Sequence, residues 1–187
     1  MNSNWKRSSE LLVLGVILAV TPGFASAKGA DRGWNTPAGS DPYIARQVGH
    51  ELVMLPYYSV FDNLEYRVNG YTVELFGQVT RPILKSDAEN AVKHIEGVEH
   101  VTNHIEVLPL SGMDWQIRRA EYRAVFGRGS LYRYAMGANP SIHIIVDNGH
   151  VTLVGVVGNE MDKSLANIQA NSVPGVFSVT NDLRVEG

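Results

Sequence analysis

The sequence contains no cysteine. That absence excludes a thiol nucleophile, a disulfide framework and a lipoprotein anchor built on a cysteine at the cleavage site. Long hydrophobic runs are missing as well: the apolar stretch at residues 11–20 is half of the roughly 20 residues a membrane-spanning helix needs. Nor is there an excess of positive charge. Once residues 1–27 are set aside, 14 basic and 18 acidic residues leave a net charge of −4, which argues against a general nucleic-acid binder. No Gly-x-Ser-x-Gly elbow, His-Glu-x-x-His pair or phosphate-cradling glycine loop occurs, and the carboxylates fall singly in loops. Catalysis is therefore not expected, and no cofactor is. The pairs His100/His104 and His143/His150 read as ordinary surface histidines flanking turns rather than as metal ligands.

What is present begins with an export signal. Lys6 and Arg7 precede the apolar stretch, and Ala25-Ser26-Ala27 supplies small residues two apart, so residues 1–27 read as a secretory signal peptide cleaved after Ala27. Residues 28–40 are rich in Gly, Pro and polar side chains and read as a flexible leader.

The rest of the chain is a repeat. Val73-Glu74-Leu75-Phe76-Gly77-Gln78-Val79 and Val151-Thr152-Leu153-Val154-Gly155-Val156-Val157 share the pattern Val-x-Leu-x-Gly-x-Val, 78 residues apart. At that offset Leu64, Tyr66 and Val68 fall on Ile142, Ile144 and Val146, and Gly97-Val98 falls on Gly175-Val176. Val101, Asn103, Ile105 and Val107 fall on Val179, Asn181, Leu183 and Val185, with no gap over residues 64–107. Such a match is a duplicated unit.

Each copy reads as α-β-β-α-β. In the first, Asp41-Pro42 opens a helix as N-cap and first-turn proline, with Ile44, Val48 and Leu52 at helical spacing. Alternating strands flank Asn69-Gly70 in copy one and Asn148-Gly149 in copy two, each making a hairpin. A second helix follows, then Gly97 or Gly175 as a left-handed helix cap, then a final strand. The fold class is thus α+β: two tandem units, at residues 41–108 and 114–187, each a small three-stranded mixed sheet with two helices on one face. Units this small are marginal alone and are expected to lean on each other. Gly77 and Gly155 imply close approach of backbone, expected from a helix. Asn103 and Asn181 fall on an apolar face without an evident reason.

The paired Val-x-Leu-x-Gly-x-Val hairpins, the later Gly-Val and the closing Val-x-Asn-x-Ile/Leu-x-Val resemble the BON domain (bacterial osmotically inducible and nodulation), present twice. The resemblance implies an exported, periplasmic protein of the bacterial envelope without catalytic activity. It further implies contact with phospholipid or a part in envelope integrity and osmotic tolerance, and it associates lipid contact in two-copy members with the first helix of the second copy.

That helix is where the copies differ most. Arg118, Arg119, Arg123, Arg128 and Arg133 lie on it or in the loop after it, five of the chain's eleven arginines. On a helical wheel Ile117, Ala120 and Ala124 form a narrow face, with Trp115, Tyr122 and Phe126 almost opposite and flanked by Arg119 and Arg123. Two readings stand: the rings pack against copy one beneath arginine stems, or they dock on an anionic phospholipid membrane surface with arginines at the headgroups. At about 1 kcal/mol per basic residue, five arginines less Asp114 and Glu121 give roughly 3 kcal/mol, so ring insertion must add to it. The alternative partner is another envelope protein, held by the same surface together with Tyr132, Arg133 and Tyr134. The glycine-rich loop at residues 127–140 is open to ordering by either.

Overall fold

The computed structural model describes residues 25–26, 39–127, 129–137 and 139–186. The expected signal peptide and leader lie outside the described residues, apart from Ala25, Ser26, Gly39 and Ser40. The elements run β1 (Ala25–Ser26), α1 (Asp41–Val53), β2 (Asn63–Asn69), β3 (Thr72–Val79), α2 (Pro82–Lys93), β4 (His100–Asn103) and β5 (Glu106–Val107). The second copy continues with α3 (Gly112–Phe126), a 3-10 helix η1 (Ser130–Ala135), β6 (Ile142–Asp147), β7 (His150–Val157), α4 (Glu160–Asn171) and β8 (Ser178–Val185).

Both copies carry the α+β plan expected of them. β2 and β3 are antiparallel, and β4 and β5 run parallel to β3. β6 and β7 are antiparallel, and β8 runs parallel to β7. The duplication extends to register. Leu64 pairs with Gly77 as Ile142 pairs with Gly155, and Leu75 with Asn103 as Leu153 with Asn181. The alternating apolar residues of each sheet point to one face. In copy one Leu64, Tyr66, Val73, Leu75 and Val79 meet Ile44, Val48 and Leu52 of α1 and Leu84, Ala88 and Val92 of α2. Each such side chain contributes about 1.5–3 kcal/mol on burial, so this face is the main stabilising term.

Several local expectations are corrected. Ser40, not Asp41, is the N-cap of α1, and the Asp41 carboxylate instead accepts from the Gly70 amide of the hairpin turn at 3.3 Å. Gly97 and Gly175 do adopt positive φ, but three or more residues beyond the ends of their helices, so they shape the turn into the last strand rather than cap. The close approach at Gly155 comes from the neighbouring strand, not from a helix: a Cβ there would lie 2.0 Å from the Ser141 carbonyl oxygen, and φ is +126°. Gly77 repeats this against Asn63, at 2.1 Å. Each glycine thus allows a local bend between the hairpin strands that a side chain would obstruct.

The two asparagines acquire a reason. Asn181 Nδ2 donates to the Lys163 carbonyl of α4 at 2.9 Å, while its Oδ1 accepts from Leu183 N. Asn103 makes the same pair of bonds, to Lys85 O and from Ile105 N. An amide, with donor and acceptor on one short side chain, pins the last strand to the second helix where an apolar residue could only pack.

Asn181→Ala is expected to cost about 1–3 kcal/mol, because the two bonds that tie β8 to α4 and to Leu183 N are lost; a thermal melt should show a fall of several degrees. Gly155→Val is expected to cost about 3 kcal/mol or more, from positive φ and the clash with Ser141. An unchanged melting temperature for that variant would rule out the close approach.

Candidate functional site on the first helix of copy two

Ser111 caps α3, its hydroxyl accepting from Asp114 N at 3.2 Å. Asp114 is buried and accepts from the amides of Asn148 and Gly149 at 3.1 and 2.8 Å, tying the helix start to the β6–β7 turn. This is the Asp41 arrangement of copy one, and it aligns the two helices at an offset of 73 residues rather than 78. The five-residue difference falls between helix and hairpin, where copy two inserts η1.

With that alignment Ile44, Val48 and Leu52 correspond to Ile117, Glu121 and Val125. The buried stripe of α3 is therefore Asp114, Ile117, Arg118, Glu121, Val125 and Phe126, not the narrow Ile117, Ala120 and Ala124 face read from the wheel. Ala120 and Ala124 are only half-buried. Two ionisable residues, Arg118 and Glu121, occupy inward positions that their polarity assigns to solvent. Glu121 is 0% exposed with both carboxylate oxygens unpartnered among the described residues, and burial pushes its pKa up to about 8. Arg118 is 5% exposed and donates from Nη2 to the Val146 carbonyl on the outer edge of β6 at 2.6 Å. Burial lowers its pKa, against the opposing fields of Asp114, Asp62 and Asp147.

The eight residues singled out in the sequence therefore divide. Trp115 and Tyr122 are 52% and 39% exposed, and Arg119 and Arg123 line the surface beside them. Phe126 is 1% exposed and serves the core of copy two, and Arg118 closes a sheet edge, so neither reaches a membrane surface. Arg133 bonds Asp162 and the Tyr134 hydroxyl, and Tyr134 in turn donates to Asp162 at 2.6 Å and accepts from Gly158 N. The Tyr134 hydroxyl first, then Arg133, holds the Asp162 carboxyl below its usual range. Of the alternative surface, Tyr132 remains exposed while Tyr134 is buried. Arg128 lies outside the described residues. The described part of the loop is ordered by its own chain, through buried Leu131 and Tyr134.

The aromatic face is partly packed against copy one and partly exposed. The segment before β2 brings Phe61 against Trp115 and Tyr122 in edge-on contacts, with ring centroids 6.1 and 6.4 Å apart. Tyr122 also meets Phe126 at 5.2 Å. Val60, Phe61, Trp115, Arg119, Tyr122 and Arg123 line a cavity of about 460 Å³. A second groove of about 660 Å³ runs along the other flank of α3, between Met113, Gln116, Ile117 and Ala120 and the Pro174-Gly175 turn. Arg119 and Arg123 line both, so they form the ridge between the two concavities. Among the described residues neither is in an ion pair. Val60 and Phe61 were not anticipated. The signal was the aromatic run Tyr57-Tyr58-Ser59-Val60-Phe61, which in copy two becomes Ala135-Met136-Gly137-Ala138-Asn139.

Elsewhere, His104 stacks on Phe76, His143 lies against Tyr58, and His150 meets Phe177 and Ser178. No group of three or more potential ligands gathers among the described residues, and none of their helices is long and apolar enough to cross a membrane.

Tandem mixed sheets of this register, each with two helices on one face, are what the repeat implied, and the family model for the BON domain matches residues 40–109 and 133–187. The chain belongs to the BON domain family. In copy two the match begins after α3, the helix on which Arg118 and Glu121 replace small and apolar residues. No curated protein matches the chain. A solved structure of CdsD, described as a structural protein of the Type III secretion system of Chlamydia trachomatis, is 12% identical with a TM-score of 0.31, over 75% of this chain and 91% of that one. A structure of the CdsD C-terminal domain gives 12% and 0.31 over 76% and 96%. Scores that low carry no argument about function.

Glu121→Leu, which restores an apolar residue where copy one has Val48, is expected to stabilise the protein increasingly as pH rises. The sign follows from the raised folded pKa. Below the unfolded value of 4.5 both states are protonated; between there and about 8 the unfolded chain alone loses the proton; above 8 the penalty is constant. Denaturant melts at intervals over that window should show the variant gaining up to about 1.4 kcal/mol per pH unit. A difference independent of pH would mean that Glu121 is not a buried acid.

Proposed function

We propose that the protein is a non-enzymatic component of the bacterial envelope that binds anionic phospholipid surfaces through α3 of copy two. The observation that carries this reading is the ridge of Arg119 and Arg123, uncompensated among the described residues and bordered by half-exposed Trp115 and Tyr122. Both acidic residues of the helix are buried, Asp114 in hydrogen bonds and Glu121 largely protonated, so neither cancels the arginines at the surface. Family membership supports an envelope role, and the expected export signal supports a periplasmic one.

Magnitudes set the mode of binding. Two arginines near an anionic surface contribute about 2 kcal/mol together. Partial insertion of Trp115 and Tyr122 adds a term of similar size, which brings the total near the roughly 4 kcal/mol of millimolar affinity. Binding is thus peripheral, reversible and sensitive to salt.

The second reading, an adaptor for another envelope protein, is favoured by one feature: the two cavities are concave, and a groove with an aromatic wall accepts a side chain as readily as an acyl chain.

In vesicle sedimentation the wild type should pellet with anionic but not zwitterionic vesicles, and less so as salt rises. Arg119→Glu with Arg123→Glu should abolish pelleting, and Trp115→Ala should weaken it several-fold. Pelleting that survives the double charge reversal would dismiss α3 as the lipid site, and failure to pellet with any vesicle would favour the adaptor.

A further inference from the structure

The first strand of each unit presents an outer edge, and the two copies treat that edge differently. In copy two the Ile144 amide donates to the Val60 carbonyl at 2.8 Å, and the Val146 carbonyl accepts from Arg118. Alternate residues of β6 thus direct their peptide groups outward, and copy one's segment and α3's guanidinium cover them. The corresponding edge of copy one belongs to β2, whose Tyr66 and Val68 stand where Ile144 and Val146 stand in β6. Alanine, Ala45, occupies the place of Arg118. What the described residues seat on that edge is β1, in antiparallel pairing of Ala25 with Tyr66 and Ser26 with Glu65, with the Tyr58 hydroxyl taking the Leu64 amide at the start of the strand. Both β1 residues precede the expected cleavage point after Ala27, so processing at that point removes the strand and leaves the edge of β2 without it.

The stretch of edge that β1 covers is, once freed, a template for another strand, and the sequence of β2 suits one partner. Read from Tyr66 outward, Asn63-Leu64-Glu65-Tyr66-Arg67-Val68-Asn69 is self-complementary in chemistry. In an antiparallel pair of two β2 strands centred on Tyr66, Tyr66 faces Tyr66, Leu64 faces Val68, and Asn63 faces Asn69. Glu65 then faces Arg67 twice, each guanidinium being shared with Glu74 of its own copy, which it already bonds at 3.1 Å. Residues 64, 66 and 68 supply the outward peptide groups, which makes Glu65–Arg67 a non-hydrogen-bonded pair, the kind in which side chains come closest. A two-fold axis produces antiparallel pairing of identical strands without further adjustment.

We propose that the processed protein self-associates through this edge, two copies joining their β2 strands antiparallel about Tyr66 into one continuous sheet. The inference depends on cleavage after Ala27 and is independent of any lipid affinity of α3.

The test uses the exported chain, its N-terminus verified by mass spectrometry, in sedimentation equilibrium. Wild type should show a concentration-dependent dimer. Glu65→Arg places arginine against Arg67 twice, and Arg67→Glu places glutamate against Glu65 twice, so each variant alone should associate at least tenfold more weakly. In an equal mixture of the two variants, one strand is positive at both positions and the other negative at both. Every facing pair is then attractive, and dimer should return as a heterodimer. Circular dichroism of each variant separates lost association from lost fold. A wild type that stays monomeric at its highest soluble concentration would overturn the proposal, as would single variants that dimerise like wild type or a mixture that regains nothing.

Discussion

Copy two cannot complete its core without copy one. Val60 belongs to the first copy by sequence, yet it is buried in the hydrophobic cluster of the second, and its carbonyl takes the outward amide of Ile144. Phe61 follows it against Trp115 and Tyr122, and Tyr58 lies against His143. The short segment between α1 and β2 is thus at once a surrogate edge strand, a core residue and a wall of the candidate site. Its anchor is Asp62, buried, which accepts from Ser59 N and Oγ on one oxygen and from Thr80 N and Oγ1 on the other. With each lone pair so used, the turn holds a single geometry, and the position of Val60 follows from it.

Divergence between the copies is concentrated in the helix that meets this segment. Copy one keeps the apolar inward stripe Ile44, Val48, Leu52, whereas copy two replaces its middle with Glu121 and adds Arg118 beside it. Arg118 has a clear physical task, since it satisfies an edge carbonyl that would otherwise be left to water. Glu121 has none that the surrounding bonds explain: a carboxyl with unpartnered oxygens in an apolar core costs stability near neutral pH. Its effect on the surface is indirect but real, because a protonated acid does not offset the field of Arg119 and Arg123.

Most of the fold was legible in the sequence. The 78-residue repeat, the period-two strands, the Asn148-Gly149 turn and the second helices are local patterns that reappear in the folded chain, whereas in copy one Asn69 ends β2, paired with Thr72, and the turn is made by Gly70 and Tyr71. The candidate site was legible only in part. Trp115, Arg119, Tyr122 and Arg123 come together as composition suggested, but Arg118, Phe126 and Arg133 each serve the interior or an internal ion pair. Residue type alone could not separate these from their exposed neighbours, since an arginine far along the chain from a carbonyl gives no sign that folding will bring the two together.

What the sequence determined by itself is whatever depends on near neighbours or on self-similarity: that a unit was duplicated, how its hairpins turn, and where its apolar face lies. Only the tertiary structure decided which charges are used inside. The bonds of Arg118 to Val146, Asp114 to Gly149 and Arg133 to Asp162 span 28, 35 and 29 residues, and Val60 finds its place 84 residues away from Ile144 along the chain. Such pairings are fixed by how helices close over their sheets and how one unit docks on the other. Both are properties of assembled surfaces that no local pattern encodes.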